Sequence, residues 1–193
     1  MIIGVTGVFG SGKTNAAKIF AKYGYIHINA DEIGHKLLNK EIIRKKIINE
    51  FGREILTKGR IDRNKLKKIV FYKYRELQKL NKIIHPYILT EISRKTKLYK
   101  NAAVDAALII EANGLGLVDK LIVLKLSKKE QLKRIKSKKK YNSIEIRNII
   151  KSQLSQKEKL KYADIVVDSS GSLKETRNKL ELIIESLKNE VSE

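Results

Sequence analysis

Three glycines, a serine, a lysine and a threonine crowd together early in the chain, in GVFGSGKT, Gly7 to Thr14. Glycines let a backbone fold so tightly that successive N–H groups point at one anion. A lysine then reaches the outer phosphates, and a neighbouring hydroxyl can ligate Mg²⁺. The stretch matches G-x-x-x-x-G-K-[ST] in full, with Gly7, Gly12, Lys13 and Thr14 at the fixed positions, Gly10 and Ser11 inside and Asn15 following. The chemistry expected of Gly7, Gly10, Ser11, Gly12, Lys13, Thr14 and Asn15 is binding of ATP or GTP, with Thr14 on the metal. Such a loop leaves open what receives a phosphoryl group.

A phosphate cradle needs a strand before it and a helix after it. Ile2, Ile3 and Val5 form a short β-branched run, and Ala16, Ala17, Ile19, Phe20 and Ala21 favour a helix that Gly24 ends. Tyr25 to Asn29 reads as a second strand, leading to a helix with Asp31 in its first turn, where the helix dipole favours a carboxylate. From Glu41 to about Tyr99 the spacing is helical without strand-like alternation, as in Ile43, Ile47 and Phe51, and Pro86 is expected to kink or restart a helix. That block of ~60 residues is long for a crossover and reads as an insert. Strands three, four and five begin at Ala102, Lys120 and Ala163. Helices over Glu130–Ser137 and Ser143–Tyr162 flank a basic turn, and Leu173, Leu180, Ile184, Leu187 and Val191 mark the apolar stripe of a last helix.

Alternating strands and helices predict an α/β fold of the P-loop NTPase type, α/β/α in three layers. Its parts are a five-stranded parallel sheet, a helical substrate-binding insert and a small lid. Residues 1–30, 98–129 and 161–193 are expected to form the nucleotide-binding core, 31–97 the insert and 130–160 the lid. A lid suits phosphoryl transfer because water would otherwise take the phosphate.

The 193 residues suit one compact domain, and 42% hydrophobic content supports a core. Cysteine is absent, which removes disulfides and thiolate metal sites. No run approaches the roughly 18 apolar residues of a membrane helix, and the N-terminus lacks the basic start of a signal peptide, so a cytoplasmic protein without a membrane partner is expected. The net charge of +21 is spread along the chain, with a tight cluster only in SKKKY, and the aromatic residues are scattered. That distribution reads as a generally lysine-rich protein whose field attracts anionic small substrates, not as a base-stacking nucleic-acid surface.

Taken together, the segments resemble the dephospho-CoA kinase family along nearly the whole chain. They are IGVTGVFGSGKT, INADEIGH, FGREIL, GRIDRNKLKKIVF, LNKIIHP, VDAALIIE, the pair Gln131 and Arg134, and KYADIVVDSSGS. The resemblance implies transfer of the γ-phosphoryl group of ATP, with Mg²⁺, to the ribose 3′-hydroxyl of dephospho-CoA. It implies Asp31 as general base, Lys13 and Arg134 on the transferring phosphate, and His35, Arg63 and His85 beside the acceptor. Asp105 and Glu111, at and just after the end of the third strand, lie where such sheets bind ligands, and Asp105 is expected to orient either water on magnesium or the acceptor.

On residue type alone other readings stand: Asp31 as a helix-dipole carboxylate, Arg134 on a solvated helix face, His85 shaping a helix junction with Pro86, and Asp105 satisfied by backbone. A nucleoside or nucleoside-monophosphate kinase shares the core, and a basic nucleic-acid-binding ATPase is a third class, distinguished by steeply salt-dependent binding. A monomer or weak homo-oligomer is expected. The chain departs from the family pattern at Asn29, where an aspartate is usual, and at Ala107, where proline is usual. It also has Lys138 or Lys139 in place of a second lid arginine, and Asn15 in place of a second hydroxyl after the loop lysine.

Overall fold

The computed structural model describes residues 1–137 and 141–192. The chain runs β1 (Ile2–Gly7), α1 (Lys13–Lys22), β2 (Ile26–Asn29), α2 (Ala30–Leu37), α3 (Glu41–Phe51), β3 (Leu56–Thr57), β4 (Arg60–Ile61), α4 (Arg63–Tyr72) and α5 (Tyr74–Thr96). It continues through β5 (Ala102–Asp105), β6 (Lys120–Lys125), α6 (Lys128–Lys136), α7 (Ser143–Lys151), α8 (Gln156–Leu160), β7 (Ile165–Asp168) and α9 (Leu173–Ser192).

Five strands form one parallel sheet in the order β2-β5-β1-β6-β7. The chain moves from β1 to one side for β2 and β5, then crosses to β6 and β7 on the other. The carboxyl end of β1 is therefore the switch point where such sheets open a ligand crevice. Alternate residues of the strands feed two cores. Ile3, Val5, Ala103, Ile122 and Leu124 pack with Ala17 and Phe20 of α1 and Leu180 and Ile184 of α9. Ala102, Val104, Leu121 and Val123 face the apolar sides of α2, α3, α4 and α5. With both faces covered, the strands are apolar almost throughout.

Two expectations need correction. The insert is not wholly helical: β3 and β4 pair antiparallel as a small hairpin. Lys58 and Gly59 make its turn with φ of 50° and 74°, the paired positive values a tight two-residue hairpin requires. Strands of two residues are too short to show alternation, so the pattern was invisible. The segment 143–162 is two helices and not one. Asn142 with Glu145 and Ser155 with Glu158 form capping boxes that start α7 and α8 separately. The helical span of α5, by contrast, continues through Pro86.

Candidate active site

The phosphate loop leaves β1 and enters α1 at the switch point. Gly10 and Gly12 have φ of 93° and 89°, a backbone that L side chains rarely adopt. A Cβ on Gly7 would stand 2.5 Å from Ser11 Oγ and 2.9 Å from the Leu124 carbonyl. The loop is fastened from three sides. Phe9 N–H donates to Gln153 Oε1 at 3.0 Å, and its carbonyl accepts from Gln131 Nε2 at 3.0 Å. Ser169 Oγ donates within reach of the Ser11 and Lys125 carbonyls, both at 3.0 Å.

Lys13 opens α1, and its ammonium faces Asp105 Oδ1 at 3.7 Å. Asp105 is only 2% exposed at the end of β5 and accepts from Asn29 Nδ2 at 3.1 Å. The His27 Nε2 is 3.5 Å from the same carboxylate. Asp105 is buried behind Lys13 and is not among the residues that line the open cleft. Asn29 also caps α2 by accepting from Glu32 N–H at 3.0 Å. Its amide thus donates to Asp105 while its oxygen accepts from the helix, whereas an ionised carboxylate could only accept.

A cleft of about 1310 Å³ opens above the loop. One wall carries Asp31 and His35, four apart on α2 and so on one helical face. Arg63 at the start of α4 lies alongside, with Nη2 2.8 Å from His35 Nε2. A guanidinium only donates, so this contact makes Nε2 the acceptor and puts the neutral ring's proton on Nδ1. His85 projects from α5 into the same cleft. Burial holds its pKa below the usual histidine value, with the Glu111 charge opposing the shift. Leu77, Leu80, Ile84 and Ile88 extend the cleft as an apolar arm beneath His85.

Arg134 lines the opposite lip. Its Nη2 donates to the carbonyls of Ser169 at 2.6 Å and Gly171 at 3.2 Å, and its Nε to Glu130 Oε1 at 3.2 Å. Nη1 lies 3.9 Å from where a Cβ on Gly12 would stand. Arg134 and the loop after β7 are therefore one assembly beside the phosphate loop. Lys138 and Lys139, the expected substitutes for a second arginine, lie outside the described residues.

Sequence reasoning passed over two residues here. Lys159 of α8 is fully buried, and its ammonium donates to Glu111 at 2.7 and 3.0 Å and to the Ala107 carbonyl at 2.8 Å. Burial lowers its pKa, and Glu111 works against that shift. The Ala107 carbonyl also accepts from Thr6 Oγ1 at 3.2 Å, so the bend where proline is usual is held by side chains. One lysine among so many gave no signal. The second residue is Tyr141, hidden beside a lysine run.

A phosphate loop at the switch point of a 2-5-1-6-7 parallel sheet, facing a helical wall across a cleft, defines a P-loop kinase. The structural comparisons agree at the level of fold: a shikimate kinase from Aquifex aeolicus matches with a TM-score of 0.57 and 17% identity over 97% of this chain and 98% of that one. Dephospho-CoA kinase from Campylobacter jejuni matches with a TM-score of 0.70 and 28% identity over 96% of both chains. The dephospho-CoA kinase family model matches residues 1–175. Dephospho-CoA kinases from Carboxydothermus hydrogenoformans and Fusobacterium nucleatum are each 38% identical, covering 97% of this chain and 94% and 98% of their own lengths. The chain belongs to the dephospho-CoA kinase family.

Proposed function

We propose that the protein phosphorylates the ribose 3′-hydroxyl of dephospho-CoA with ATP, giving CoA and ADP. The observation that carries this reading is the meeting of two sets of residues in one cleft: the loop Gly7–Asn15 on one side, Asp31, His35, Arg63 and His85 on the other. The 3′-oxygen forms a bond to the γ-phosphorus as the bond from that phosphorus to the β,γ-bridging oxygen breaks. Asp31 orients the hydroxyl and takes its proton, and ADP leaves with the bridging oxygen. Because such transfer is mostly positioning and charge stabilisation, Lys13 and the loop N–H groups supply the larger share. Arg134 stands at the nucleotide end, its fork already fixed by Ser169 and Gly171.

The oxygen donors suit Mg²⁺. Thr14 offers a hydroxyl, and Asp105 Oδ1, buried beside the Lys13 ammonium with no hydrogen-bond partner among the described residues, could accept from a water on the cation. Bound there, the ion would neutralise charge on the phosphate oxygens. Residues 31–97 act as the acceptor-binding part and 130–160 as the lid in this reading, although Lys159 anchors α8 to the core. No described helix is long and apolar enough to cross a membrane. We expect a cytoplasmic enzyme with small-molecule partners only, acting as a monomer or weak homo-oligomer.

The test is incubation with Mg²⁺, ATP and dephospho-CoA, followed by mass spectrometry of the acceptor. One added phosphoryl group is expected. ATP consumption with AMP as acceptor, and none with dephospho-CoA, would leave only the fold assignment standing.

A further inference from the structure

The lid is joined to the rest of the molecule at two ends by different chemistry. α6 is held to the phosphate loop through Gln131 and to the loop after β7 through Arg134. α7 is bolted to α4 of the insert. Asn148 Nδ2 donates to the Phe71 carbonyl at 2.7 Å, a group left without a helical partner at the end of α4. Asn142 Nδ2 donates to Tyr72 Oη at 3.0 Å. Glu145, only 6% exposed, faces Lys67 Nζ at 3.3 Å with one oxygen and accepts from Asn142 N–H with the other.

Between these two attachments stands Tyr141. Its ring lies 5.8 Å from that of Phe9 in the phosphate loop, edge-on at 84°, and 6.2 Å from that of Phe71 in α4. The ammonium of Lys67 sits 4.6 Å from its ring centroid. Phe9, Lys67, Phe71 and Tyr141 all line the cleft. One ring therefore touches the donor side and the acceptor side of the site together.

We propose that Tyr141 is a positioning residue that ties the phosphate loop to α4, so that the acceptor wall and the lid close as one body and water is kept from the γ-phosphate. It rests on the kinase reading above. The ring, and not the hydroxyl, does this: Phe9 and Phe71 meet it at aromatic distances, and Lys67 is drawn to its π face. An enzyme lacking the tie opens its donor side while the acceptor is still bound, and ATP loses its γ-phosphoryl group to water.

The readout is the ratio of CoA formed to ATP hydrolysed, measured with the full chain at saturating ATP and dephospho-CoA. Tyr141→Ala is expected to lower that ratio about 10-fold, mainly through kcat, while the KM for ATP changes little. Tyr141→Phe should stay within about 2-fold of the wild type. Phe71→Leu should lower the ratio by itself and add little in the double variant with Tyr141→Ala, because both remove the same ring contact. Should Tyr141→Ala not fold, Tyr141→Leu and Phe71→Leu read the same quantity. An unchanged ratio in the folded variants overturns the proposal, and so does a Tyr141→Phe enzyme as impaired as Tyr141→Ala. Wild-type protein that makes no CoA at all sinks the kinase reading instead, which separates the two failures.

Discussion

Lys13 Nζ stands 3.7 Å from Asp105 Oδ1, so the lysine that should grip the nucleotide is held by a buried carboxylate on the neighbouring strand β5. The contact is longer than a direct hydrogen bond, which leaves the ammonium free to turn toward a phosphate. We propose that Asp105 aims the lysine. Replacing it by asparagine removes the charge and keeps the shape. Asp105→Asn is expected to lower kcat about 10²-fold, in the range for losing one preorganised electrostatic group. Steady-state kinetics against ATP checks this, and a change confined to KM would contradict the aiming role.

Asp31 is exposed on the first turn of α2 and faces the cleft. Asp31→Asn should reduce kcat by ~10²–10⁴-fold, the usual span for a lost general base, with little effect on folding. The comparison to make is the CoA formation rate beside the thermal midpoint. Loss of both in proportion would mean that the carboxylate serves only its helix.

Burial depresses the pKa of His85 below its ordinary 6.5. The unfolded chain then binds a proton, as the pH falls past 6.5, before the native protein does. Stability from this residue is fully present above that pH and is lost as the pH falls through the native pKa. The depressed carboxylates, such as Glu91, Asp62 and Asp168, act only at lower pH. Urea midpoints between pH 7.5 and 5.5 should fall for the wild type and fall less for His85→Gln. Parallel slopes would show that this histidine is not the source.

Lys159→Met removes one partner of a buried ion pair and leaves Glu111 with the Leu154 N–H and its solvent edge. A loss of roughly 3 kcal/mol in unfolding free energy is expected. Adding Glu111→Gln should restore part of it, since the stranded charge is then gone. Chemical denaturation of the single and double variants decides the matter, with a single variant as stable as the wild type counting against the pair.

The phosphate loop, the five strands and the helix stripes are legible in the sequence, because each is written in residues that are neighbours in the chain. Glycine spacing within Gly7–Thr14 and apolar runs such as Lys120–Lys125 need no distant partner to be read. The capping pair Ser155 and Glu158 was equally legible, and reading it would have divided the 143–162 segment correctly. The resemblance to a family then named Asp31, His35 and Arg63, but not how they meet.

That Arg63 touches His35, that Asn29 joins α2 to Asp105, and that Lys159 is buried on Glu111 depends on the packing of the whole fold. These pairs lie 28, 76 and 48 residues apart in the chain, and no local pattern marks them. Lysine is the commonest cation here, so a buried one looks like any other until its surroundings are known. The same holds for Tyr141, whose partners Phe9 and Phe71 come from opposite sides of the cleft. Short-range periodicity fixes elements, whereas burial and side-chain pairing depend on which elements the sheet order brings together.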